Sequence, residues 1–78
     1  MKSILIVEDD IDIAAIEKDY LEVAGFSVNI AYDGKAGLEE GMSGRYDLIL
    51  LDVMLPYMDG FSVCRKLRKE TDAPILMV

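Results

Sequence analysis

The chain has 78 residues, 53% of them hydrophobic and 29% charged, which excludes wholesale disorder and leaves room for one small domain, residues 1–78, with a modest core. Fifteen acidic against eight basic residues give a net charge of −7, which disfavours direct binding to nucleic acid or an anionic membrane and favours cations and basic partners. A single cysteine, Cys64, and the absence of histidine exclude an internal disulfide and a Cys/His zinc centre and fit a reducing, cytoplasmic setting.

Ile4 to Val7 is too short for a signal-peptide core or a membrane span. Its apolar, β-branched run without alternation predicts a strand buried on both faces of a parallel sheet, and it ends abruptly in Glu8, Asp9 and Asp10. Ile13, Ile16, Tyr20 and Ala24 then recur at three- and four-residue steps, predicting a helix over Ile11 to Ala24. Asp10 or Asp12 can cap its start, and Gly25 suits a left-handed stop.

Phe26 to Ala31 alternates as a less buried strand, and Asp33 and Gly34 turn the chain into a second helix through Leu38 to about Met42, weakened at its end by Gly41 and Gly44. Leu48 to Leu51 is a second wholly apolar strand and again stops at an acid, Asp52. Val53 to Met58 reads as a loop because of Pro56, and Asp59 can cap a third helix through Val63, Cys64 and Leu67. That helix carries Arg65, Lys66, Arg68 and Lys69 on its outer face, and Ile75 to Val78 begins a fourth strand.

The order β-α-β-α-β-α-β over short connections implies an α/β fold, a parallel sheet with helices on both faces, whose ligand site lies outside the carboxyl ends of the strands. Glu8, Asp9 and Asp52 all fall at that edge. If the first and third strands are neighbours, roughly 4.8 Å apart, these acids share one pocket. Either one pKa rises or a hard cation neutralises the cluster, and oxygen ligands in this number suit Mg²⁺, which would leave Asp52 free to act as a nucleophile. Each acid alone is equally readable as a helix cap or turn residue, and it is their joint placement that favours a site. Asp10, Asp12 and Asp59 read as caps, the basic stripe as a solvated face, and Cys64 as a small core residue.

Ile4-Leu5-Ile6-Val7-Glu8-Asp9-Asp10, together with the run from Asp47 through Asp52, Pro56 and Asp59-Gly60 to Phe61, resembles the receiver domain of two-component response regulators. The resemblance implies a flavodoxin-like (CheY-like) fold, strand order 2-1-3-4 in this chain. It also implies that Asp52 accepts a phosphoryl group from a sensor histidine kinase. Asp9 and Asp52 would bind Mg²⁺ through side chains, Glu8 directly or through water, and Met54 through its backbone carbonyl. Pro56 and Asp59-Gly60 would shape the loop below the site. Such a domain is regulatory, at most slowly self-phosphorylating and self-dephosphorylating. Met54-Leu55-Pro56 and Cys64 to Arg68 are worded most like receivers that precede winged-helix DNA-binding domains, which points to transcription regulation.

The family's fold has a fifth strand and two further helices, a hydroxyl residue after the fourth strand and a lysine after the fifth, none of which follows Val78 here. The resemblance therefore implies a partial receiver with impaired switching. An apolar strand edge at Ile75 to Val78 and a bared sheet face beside the first helix would favour self-association. A self-assembling half-fold without phosphoryl transfer is the competing reading. An aspartyl phosphohydrolase fits less well, because Met54 stands where its second acid would be, and no Gly-x-Gly-x-x-Gly follows the first strand to cradle a dinucleotide.

Overall fold

The computed structural model describes residues 2–55 and 59–78. Pro56 and the rest of the loop expected to end at Met58 lie outside the described residues. Four parallel strands, β1 (Ser3–Val7), β2 (Ser27–Ala31), β3 (Leu48–Leu51) and β4 (Ile75–Met77), form one sheet in the order β2-β1-β3-β4. Three helices connect them: α1 (Ile11–Val23), α2 (Gly34–Gly41) and α3 (Gly60–Arg68). None of the helices among the described residues is long and apolar enough to cross a membrane.

The two apolar runs became the two central strands, as their lack of alternation required. Successive side chains of a strand point to opposite faces, so β1 divides into Leu5 and Val7 on one side and Ile4 and Ile6 on the other, all four buried. Leu5 and Val7 join Ile49, Leu51, Val63 and Leu67 in the larger core, beneath α2 and α3. Ile4 and Ile6 join Val28 in the smaller one, where Leu21 of α1 covers them. On that thinner side Leu48 and Leu50 of β3 are only half-buried.

Each helix opens on an aspartate whose carboxylate accepts amide hydrogens from the first turn. Asp10 accepts from Asp12 and Ile13, Asp33 from Ala36, and Asp59 from Ser62. Asp10, not Asp12, is thus the cap of α1. Gly25 has φ +99°, the left-handed stop expected after α1.

The stripe whose period announces α1 is not the one that packs. Ile13, Ile16, Tyr20 and Ala24 are exposed, while Ala14 is buried and Leu21 half-buried against the sheet. Apolar residues lie on both sides of this helix, and only the sheet decides which side turns inward. Gly41 likewise does more than weaken the end of α2. It is a buried helix residue over which Leu67 of α3 passes so closely that a Cβ would lie 2.6 Å from the Leu67 Cδ2. Gly37 meets the Val7 methyls in the same way. These two glycines let α2 approach its neighbours.

Candidate functional site

Parallel register sets Val7 of β1 beside Leu51 of β3, so the next residues, Glu8 and Asp52, leave the sheet side by side. The ladder continues past both strand ends. The Glu8 amide donates to the Ala31 carbonyl and the Asp52 amide to the Val7 carbonyl, each at 3.0 Å. Two backbones are thereby pinned before the side chains diverge from the sheet. Glu8, Asp9 and Asp52 each offer a carboxylate oxygen within 4.8 Å of the others, and this is the trio that the strand ends led us to expect.

Their environments differ. Glu8 is buried, Asp52 half-buried and Asp9 exposed. Burial pushes the Glu8 carboxyl up to about 7, with the Asp52 and Asp9 charges adding to the rise and a hydrogen bond from the Asp10 amide opposing it. Three acids packed this closely have a deficit of positive charge, and near neutral pH Glu8 meets it with a proton.

The loop after β3 is organised around Asp52. The Met54 amide donates to Asp52 Oδ1 at 3.0 Å, while the Met54 side chain points into solvent. The Val53 amide donates to the Val78 carbonyl, and the Gly60 amide donates to the Val53 carbonyl, both at 3.0 Å. Gly60 presses on the Asp52 and Val53 backbone so tightly that a Cβ there would sit 2.7 Å from Val53 Cα. The Asp59-Gly60 pair thus performs two tasks, a cap on α3 and a close backbone contact behind the acceptor loop. The cap hydrogen bond from the Ser62 amide holds the Asp59 carboxyl below its ordinary range.

One charged residue near the site was not singled out in the sequence. Glu17 lies half-buried on α1, three residues after the buried Ala14, and burial first, then the charge of Asp52, raises its carboxyl. Its three-residue step from Ala14 was the available signal. The exposed stripe drew attention to the opposite side of the helix.

Comparison with known proteins agrees with this geometry. The family model described as the response regulator receiver domain matches residues 4–78. The chain belongs to the receiver domain family of response regulators. It is 46% identical over 78 residues to the response regulator ArlR of Staphylococcus saprophyticus, a match that spans 100% of this chain and 36% of that protein. Among solved structures it is similar to the receiver domain of the Francisella response regulator 1452, with a TM-score of 0.92 and 35% identity over 99% of this chain and 64% of that one. It is also similar to response regulator TrrA of Thermotoga maritima, solved in complex with Mg²⁺-BeF, with a TM-score of 0.89 and 32% identity over 99% of this chain and 70% of that one. This receiver chain therefore spans about a third of the length of the curated relative it matches. Its four-stranded order, 2-1-3-4, is the flavodoxin-like arrangement anticipated from the alternation of strands and helices.

Proposed function

We propose that this receiver chain is a phosphoacceptor: Asp52 takes a phosphoryl group from a sensor histidine kinase, with Mg²⁺ held by Glu8, Asp9, Asp52 and the backbone carbonyl of Met54. The convergence of three carboxylates within 4.8 Å at the carboxyl edge of β1 and β3 carries this reading. The donor set fits the ion. All three side-chain donors are hard oxygens, and a cluster that otherwise retains a proton near neutral pH is one that a divalent cation can neutralise. When bound, Mg²⁺ supplies positive charge against which phosphoryl oxygens can rest.

This chain's own groups position the acceptor. The Met54 amide occupies Oδ1 of Asp52, which leaves Oδ2 as the nucleophilic oxygen. An Oδ2–P bond forms as the donor's P–N bond breaks, and the electron pair leaves with the imidazole, which takes up a proton. The product is an aspartyl phosphate on Asp52. The role is regulatory, with at most slow self-phosphorylation and self-dephosphorylation. It belongs to the cytoplasm and, by resemblance, to transcription control through a separate output domain.

The exposed apolar surface favours a second property, self-association. Leu76 and Val78 are more than half exposed along β4, and the Leu48 and Leu50 face is thinly covered. Light scattering at high micromolar concentration tests it, and a well-folded monomer there would count against it.

For the phosphoacceptor reading, the 78-residue chain is incubated with Mg²⁺ and a small acyl phosphate, and its intact mass is compared with that of Asp52→Asn. Wild type should gain one phosphoryl group and the variant none. A folded wild type that gains no mass would remove the claim for this chain.

A further inference from the structure

The outer faces of α1 and α3 are chemical complements that lie on opposite sides of the sheet. On α3, Phe61, Arg65 and Arg68 follow one another at four- and three-residue steps and so form one stripe. Phe61 is 59% exposed. Arg65, Lys66, Arg68 and Lys69 are exposed as well, and they are half of the eight basic residues in the chain. Among the described residues none of the four pairs with an acid: Arg65 reaches Ser62 Oγ at 3.1 Å and Arg68 the Ala73 carbonyl at 3.4 Å.

On α1, Ile16, Tyr20 and Val23 line a groove of about 420 Å³ with Asp19 in its wall. Asp12 is exposed two turns earlier on the same flank. An apolar groove with an acidic border thus faces one way, and an aromatic residue with a cationic border faces the other. Because α3 packs on the core containing Leu5 and Val7 and α1 on the core containing Ile4 and Ile6, the two faces cannot meet within one molecule.

We propose that α3 of one copy docks into the α1 groove of a second copy, with Phe61 seated among Ile16, Tyr20 and Val23, and Arg65 and Arg68 opposite Asp19 and Asp12. A second copy is the occupant that supplies both halves of the match. An unrelated acidic surface would answer α3 and leave the α1 groove open. Aromatic residues and arginine are also the side chains on which interface affinity concentrates. The contact joins two different surfaces, so each copy keeps a free α1 and a free α3, and the assembly lengthens with concentration instead of closing as a twofold dimer. Two short helices bury little area, which puts the contact at the weak, transient end of the range. The proposal rests on the self-association described above and gives it a head-to-tail form.

Sedimentation velocity of the 78-residue chain over a concentration series up to about 1 mM tests this in a range where weak contacts register. Wild type should show a weight-average mass that climbs past dimer without a plateau. Tyr20→Glu, at a site 76% exposed, and Arg65→Glu, also exposed, should each keep native circular dichroism and lose association by about tenfold or more. Mixed in equal amounts they should form a dimer and stop there, because Tyr20→Glu still offers an intact α3 and Arg65→Glu an intact α1. If wild type stays monomeric, both self-association and this contact are overturned. If both folded variants associate as wild type does, or the mixture forms no dimer, the α1–α3 contact is overturned while self-association through the sheet stands.

Discussion

Glu8 and Asp52 follow paired residues of neighbouring parallel strands, and their carboxylate oxygens lie within 4.8 Å of each other. Only Glu8 is buried, and it is Glu8 whose carboxyl rises to about 7. The folded chain therefore holds a proton there that the unfolded chain, titrating at 4.5, releases earlier. Such a group stabilises the fold below the unfolded pKa, and that stability is lost as pH rises through the folded one. Without divalent cation, unfolding free energy should fall between about pH 4.5 and 7, by on the order of 3 kcal/mol from this group. Urea titrations at pH 5.5 and 7.5 measure it. Saturating Mg²⁺ should reverse the trend, because the ion needs an ionised Glu8 and its binding releases the proton.

Asp52→Asn removes one of the like charges that raise Glu8. At pH 7.5 and without Mg²⁺ the variant should be more stable than wild type, by on the order of 1 kcal/mol, while its Mg²⁺ affinity drops. Thermal melts with and without the ion read both effects. Equal melting temperatures in the metal-free state would mean that the two carboxylates do not repel.

Gly60→Ala places a methyl against backbone atoms of Asp52 and Val53, which cannot rotate away. A loss of about 1–3 kcal/mol is expected, together with slower phosphoryl uptake at Asp52, because relief must come from moving the acceptor loop. Gly37→Ala is the comparison. Its methyl meets the Val7 side chain, away from that loop, and it should lower stability with little change in uptake per folded molecule.

Tyr46 is buried, accepts a hydrogen bond from Asn29 Nδ2 at 3.0 Å and donates one to Glu40 Oε1 at 2.7 Å, so a single ring ties β2, the end of α2 and the entry to β3. Tyr46→Phe should cost about 1 kcal/mol by denaturant titration. Burial first, then Glu40, raises the phenol, so its contribution should be lost only as alkali exceeds the ordinary tyrosine range near 10.

Leu21→Ala and Val23→Ala test which side of α1 packs. Leu21 lies against the Ile4, Ile6 and Val28 core, and its loss should cost about 2 kcal/mol or more. Val23 is 90% exposed, and its substitution should change stability by less than about 0.5 kcal/mol in dilute solution. Similar costs at the two positions would contradict the packed face described here.

The sequence by itself determined the order of elements, their caps and the identity of the site. Uninterrupted apolar runs have only one stable home, a central parallel strand, and an acid directly after such a run must emerge at the carboxyl edge of the sheet. Hence Glu8, Asp9 and Asp52 could be placed together without coordinates. Only the tertiary structure decided the inward side of α1, because apolar residues on both sides of a helix give the same period whichever side is buried. The same holds for Gly37, Gly41 and Gly60, whose role is the atom they lack. That role exists only once Val7, Leu67 or the backbone of Asp52 lies against them, and those contacts arise between elements distant in the chain.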